Sequence, residues 1–386
     1  MSYDILATPA AYSSFNGDLI YTVKDVVKAN DPVTYPNFKY IADVYVDGSL
    51  VSRIKKVPDP TNGIGVFNLG QIVRNYVTQS FSPVAGVIVA QVLGDGIFNL
   101  SVQVKFGEEY SFTDTLNITV DSVRVFFNNY NRRFFGFTSS LTALADKVAS
   151  NRTSTLEALF SSSYLFIPYF PTSTTPVSVT ITPSSGGSVT FNITPDNAYD
   201  LQILNFAPQV VLAAYPGLVN LATTYYDVQI GAQTYRVYII CEAQYTPRMV
   251  HFLNQYGGFD SKIFTKVSRK TYDITKTDFG KLPYIVGADG TVSYKSANGV
   301  YNDSRTVYAS QYVENALLNS DNLSDQEYLW LTDLLVSPMI YIEENGYFYP
   351  VLITDNSYEE HKNINDDVTN LTVNITYGNQ LNTQFQ

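Results

Sequence analysis

Residues 38–57 read FKYIADVYVDGSLVSRIKKV, and their two-residue rhythm decides the fold class. Apolar and polar side chains alternate on either side of Asp47-Gly48, as they do along a strand with one face turned to a core. An Asp-Gly pair between β-rich flanks marks a tight hairpin, because glycine accepts the positive φ that such a turn demands. Working outward, the same rhythm predicts strands near 86–93, 97–106 and 116–127. It returns in YLFIPYF, PVSVTITP and SVTFNIT from residue 164 onward, broken by Ser/Thr/Pro/Gly-rich loops, and in TTYYDVQI and TYRVYIICEA around Gly231-Ala232-Gln233. Near the carboxy terminus, MIYIEE and YFYPVLI flank Asn345-Gly346, the strongest hairpin signal in the chain. VTNLTVNITY sets Leu371, Val373, Ile375 and Tyr377 against Asn370, Thr372, Asn374 and Thr376, a half-buried strand.

The period switches to that of a helix in three places. Leu69, Ile72, Val73 and Tyr76 are helically spaced behind a possible Asn68 cap, and residues 138–150 suit a second helix. Ser324-Asp325-Gln326-Glu327 fits a capping box, Leu331, Leu334 and Leu335 follow as a core face, and Ser337-Pro338 ends the turn. The expected fold is all-β, a multi-module antiparallel β-sandwich protein with two or three short helices: a β-sandwich with one short helix over 1–125, a β-rich module over 126–245, and a β module over 246–386 with a capped helix at 325–336 and a terminal hairpin.

Composition narrows the role. Of 386 residues, 45% are hydrophobic and only 15% charged, against about 25% charged in ordinary soluble domains. The surface must draw on Asn, Thr, Ser, Gln and 31 tyrosines, and tyrosine supplies stiff contact area at low entropic cost. That suits an assembly subunit better than a free enzyme. A net charge of −11 argues against a general nucleic-acid partner, which needs a basic face. One basic run exists (Lys262, Lys266, Arg269, Lys270, Lys276), and a solvated strand face is its plainer reading. The single Cys241 excludes an intrachain disulfide and any multi-cysteine metal site. The first residues lack a basic and apolar leader, and no stretch approaches the roughly 20 apolar residues of a membrane helix. A protein made and kept in aqueous surroundings is expected.

No phosphate loop, dinucleotide fingerprint, nucleophile elbow or zincin helix is present, and no cofactor is expected. Only His251 and His361 could act as imidazole bases. His251 lies in the apolar run RMVHFLNQY and reads as structural; His361, beside Glu359 and Glu360, reads as a loop residue and would be the base of any hydrolase. Gly257-Gly258 reads as a turn with positive φ at both glycines. Carboxylates at 355–360 and 366–367 could attract calcium, but the EF-hand spacing is absent. Trp330 is assigned to packing. The runs FFNNYNRRFFGF (126–137) and YLFIPYFP (164–171) lack alternation and suit either a core or an intersubunit contact; the candidate contact residues are Tyr130, Phe134, Phe135, Tyr169 and Phe170.

Three stretches, YPNFKYIADVYVDGSLVSRIKKVPDPTNGIGVFNLGQIVRNYV, RMVHFLNQYGGFDSKIFTKVSRKTYDI and YLWLTDLLVSPMIYIEENGYFYPVLITDNSYEEHKNINDDVTNLTVNITY, resemble segments of virion proteins of tailed bacteriophages infecting Bacteroidetes. The resemblance covers most of the chain, least at 138–220, and no catalytic residues travel with it. It implies a non-enzymatic tail, baseplate, neck or ring subunit, made in the host cytoplasm and built into the virion as a symmetric homo-oligomer with other tail proteins. The alternative is a fibre adhesin that binds a host surface glycan.

Overall fold

The computed structural model describes residues 3–15, 17–25, 27–76, 80–94, 97–111, 113–126, 145–241, 245–296, 298–354, 370–378 and 381–383. Among the described residues strands dominate, in several largely antiparallel sheets with three short helices, as the sequence predicts. The opening hairpin forms as read: Lys39–Val46 pairs with Ser49–Lys56, and Asp47 and Gly48 sit at φ 46° and 80°.

Around this hairpin a β-sandwich closes. One sheet runs Tyr12–Ser14, Val123–Phe126, Asn99–Tyr110, Lys39–Val46, Ser49–Lys56, with Thr113–Thr119 also on Asn99–Tyr110. The facing sheet is Tyr3–Ala7, Ile20–Asp25, Ile64–Asn68. Tyr21, Val23 and Phe67 from the smaller sheet share one core with Tyr40, Ala42, Val44, Val104 and Phe106 from the larger, which is the defining contact of a sandwich. On the outer face, buried Asp43 takes a two-pronged bond from Arg53 at 2.6 and 2.7 Å, so its covered charge is paired.

Two further sheets follow. Lys147–Val148, Phe166–Phe170, Leu201–Asn205 and Val89–Leu93 form one, and Thr155–Leu159, Gln233–Ile240, Tyr225–Ile230, Val177–Pro183 and Val189–Ile193 form the other. Phe166–Phe170 and Leu201–Asn205 are buried at every position, which explains the missing alternation in YLFIPYF. The strand at 89–93 therefore serves the middle of the chain and not the first sandwich.

The expected helices need adjustment. The first is shorter, Gly70–Arg74, and begins after Leu69; the Asn68 Oδ1 accepts a bond only from the Gly70 N–H, at 3.1 Å. Within 138–150, residues 138–144 lie outside the described residues, while Lys147–Val148 is a strand paired with Tyr169 and Phe170. A helix that the spacing did not suggest, Pro208–Ala214, starts with proline in the first turn, where no N–H is needed. The helix Asp325–Val336 forms as read, with Leu331 and Leu334 buried.

Contacts divide the chain into two compact units: 1–242 with 251–263 and 325–338, and 243–250 with 264–324 and 339–386. This differs from three consecutive modules, because the 251–263 turn region and the helix return to the first unit. In the second unit, Ile340–Glu344, Tyr347–Ile353, Thr372–Tyr377, Arg305–Asn319 and Arg269–Gly280 pair in that order, all antiparallel, with Leu381–Thr383 also on Arg305–Asn319. Leu371, Val373, Ile375 and Tyr377 are buried, as their alternation requires.

Candidate functional site

Among the described residues, the region with the ingredients of an active site is the turn VHFLNQYGGFDS. His251, Asn254 and Asp260 are fully buried. Asn254 organises the turn: its Oδ1 accepts from the Tyr256 and Gly258 N–H groups at 2.9 and 3.1 Å, and its Nδ2 donates to Ala149 O at 2.8 Å. Of the two glycines, Gly257 alone has a positive φ, 90°. Gly258 is required for a different reason: a Cβ there would lie 2.3 Å from Cβ of Pro168. The expectation of two left-handed glycines is corrected to one left-handed glycine and one close approach.

Asp260 gathers a set of donors from distant parts of the chain. Its Oδ2 accepts from Ser150 Oγ at 2.5 Å, Trp330 Nε1 at 2.8 Å and Asn254 Nδ2 at 3.2 Å. Arg152 lies 3.6 Å from its Oδ1 and also donates to Phe166 O and Ser261 O, with the Trp330 ring 5.1 Å from the guanidinium. Burial pulls the Arg152 guanidinium below its ordinary pKa, and the Asp260 carboxylate opposes that. His251 Nδ1 bonds Ser261 Oγ at 2.8 Å, and its ring lies 4.8 Å from that of Phe166. Asp333, on the helix, is pushed up to about 7 by burial first and by Asp260 second, against a 3.4 Å bond from the Gln255 N–H.

This arrangement pins a turn, a helix and the Ala149–Arg152 segment through hydrogen bonds to Asp260 Oδ2 and an ion pair with Arg152 in the interior. A nucleophile–base pair needs room for a reacting group beside it. Here the imidazole faces Ser261 and Phe166 with no exposed surface. The chemistry available is structural. Trp330 has the packing role expected of it, with the Phe252 ring 5.6 Å away. Arg152 and Asp260 carried no sequence signal, since residues 108 apart announce nothing about their pairing.

The five candidate contact residues fare differently. Tyr169 and Phe170 are 3% and 1% exposed, and Phe170 packs edge-on against Phe126 and Phe98. They belong to this chain's own core and offer nothing to a neighbour, a correction that follows from a strand covered on both faces. Tyr130, Phe134 and Phe135 lie outside the described residues, as do His361, Glu359, Glu360 and the acids at 366–367. Among the described residues, no group of His, Cys, Asp or Glu could hold a metal ion, and no helix is long and apolar enough to cross a membrane. The basic run is a solvated face in part: Lys266, Arg269 and Lys276 are exposed, the last two on the strand Arg269–Gly280, while Lys262 and Lys270 are drawn into ion pairs. Lys262 is buried against Glu157 and Glu327, Lys266 bonds Asp321 at 2.6 Å, and Lys270 bonds Glu314 at 2.5 Å.

The surface feature that stands out is an arm in the second unit. Arg269–Gly280 pairs with Arg305–Asn319, and Ile285–Val286 pairs with Val292–Ser293 farther along. From Thr271 to Ala309 no described residue is buried. Yet Ile274, Leu282 and Tyr301 stand 61%, 68% and 74% exposed, with Tyr272, Phe279 and Tyr308 alongside. A two-stranded ribbon is marginal in water by itself, and an apolar surface of this extent marks a contact.

No family model matches the chain, and no curated protein matches it. Among solved structures it is similar to the FN1-FN3 domains of chicken CNTN1 at 12% identity and a TM-score of 0.19. That match covers 61% of this chain and 66% of the other, just under two thirds of its length. A likeness this slight bears on neither fold nor role.

Proposed function

We propose that the chain is a non-enzymatic structural subunit of a tailed-bacteriophage virion, in the baseplate, neck or tail ring, where it oligomerises and joins neighbouring tail or fibre proteins. The observation that supports assembly is the arm: a long ribbon with no core of its own and apolar side chains turned outward. The second unit holds the arm; a neighbour covers it and closes its strand edge, which otherwise invites uncontrolled pairing. The virion part of the reading rests on the three sequence stretches that resemble phage proteins. Averaged electron micrographs of purified particles, with antibody or gold marking this chain, test it. Label at a fixed place on the tail is expected, and label that never falls on particles removes the assignment.

A fibre adhesin is the second reading, favoured by the exposed tyrosines of the same arm, which suit stacking on sugars. Saturable binding to one host polysaccharide on a glycan array would promote it over the first.

A further inference from the structure

Arg269–Gly280 is a twelve-residue strand that, among the described residues, pairs on one side alone. Its outer edge therefore presents a row of backbone N–H and C=O groups with no strand beside them. Its only irregularity, a bulge between Thr277 and Asp278, leaves out Tyr308 of the partner strand, so the side chains of Arg269–Gly280 alternate without interruption.

What such an edge accepts is written in its sequence, RKTYDITKTDFG. Two copies joined edge to edge about a two-fold axis run antiparallel, and one residue must face itself. With Asp273 at the centre, Asp273 opposes Asp273 and Lys270 opposes Lys276. With Lys276 there, like charges meet on the axis. A centre at Thr275 sets Arg269 against Lys281, and one at Tyr272 pairs only Arg269–Thr275. With Ile274 at the centre every opposition is favourable or neutral. Lys270 faces Asp278, Tyr272 faces Lys276, Thr271 faces Thr277, and Asp273 faces Thr275. Opposite charges and threonine pairs directly across a ladder stabilise it, while like charges there destabilise it.

We infer that this edge is the seam of a two-fold pairing with a second copy of the chain, with Ile274 facing Ile274 and the two sheets continuing into one. The seam deepens the assembly reading and rests on its oligomer part, not on its virion part. It turns the apolar side chains at Tyr272 and Ile274, 53% and 61% exposed, into a cross-strand cluster at the axis.

Register-specific cross-linking tests it in the full chain. Cys241 is exposed, so Cys241→Ser is the background. With a short bis-maleimide, Ile274→Cys alone should give a covalent dimer. Tyr272→Cys alone and Lys276→Cys alone should not, whereas an equal mixture of those two should. Asp278→Lys should weaken dimerisation at least tenfold, and Lys270→Asp added to it should restore most of the loss. A chain that sediments as an oligomer but fails to link through Ile274→Cys overturns the seam and leaves the assembly reading standing. A chain that sediments as a monomer at tens of micromolar overturns the seam and its oligomer premise, while particle labelling still decides the virion assignment separately.

Discussion

The Trp330 indole N–H donates to Asp260 Oδ2 at 2.8 Å in the interior of the first unit, and the same oxygen holds Ser150 and Asn254. One carboxylate thus ties together a helix, a turn and a strand entry that lie far apart in the chain. Arg152 balances its charge. Removing one partner of a buried pair leaves the other uncompensated, which typically costs about 3–5 kcal/mol. Arg152→Met should lower stability by that order in denaturant titration. His251→Gln, which removes the bond to Ser261, should cost about 1 kcal/mol and leave oligomerisation unchanged.

Gly258 and Gly257 should respond differently to alanine. At Gly258 the new Cβ meets Pro168 at 2.3 Å, so the turn or the strand Phe166–Phe170 must shift, at a cost on the order of 1–3 kcal/mol or more. At Gly257 the cost is backbone strain at φ 90°, about 1–2 kcal/mol. Thermal melting of the two variants and of Gly258→Val, which should fold poorly, checks this order.

Asp333 makes stability depend on pH. Its folded pKa, about 7, lies above the ordinary 3.8 because burial and Asp260 disfavour its charge. The folded state therefore holds a proton that the unfolded state has released. The stabilising contribution is complete below about pH 4 and declines as pH rises through 7, by at most about 1.4 kcal/mol per pH unit. Asp333→Asn should abolish that decline and be more stable than wild type at pH 8, on the order of 2 kcal/mol. Equal stabilities of the two proteins from pH 4 to pH 8 would show that the carboxyl is not buried in this way.

The parts of the fold legible in the sequence were those where one face meets a core and the other meets water. Asp47-Gly48, Asn345-Gly346 and the strand Thr372–Tyr377 stand where alternation and turn chemistry put them. Phe166–Phe170 was ambiguous because a strand covered on both faces has no alternation, and so Tyr169 and Phe170 passed for contact residues. Pro208–Ala214 is too short for a helical period to show. Asp260 and Arg152 are joined by tertiary packing alone. The arm did leave a trace: RKTYDITKTDFG alternates, yet both its faces are polar enough to forgo a core, a pattern read only as a basic run.

The most direct test of an assembling arm is to remove it and measure mass and stability together. Replacing 277–309 by Asn-Gly closes the ribbon after the Lys276–Ser310 pair and removes Asp278 from the seam. No described residue in the deleted stretch is buried, so melting of the shortened chain should match wild type, while sedimentation velocity should show the oligomer replaced by monomer. An oligomer of unchanged mass in the well-folded shortened chain would contradict the assembly role of the arm.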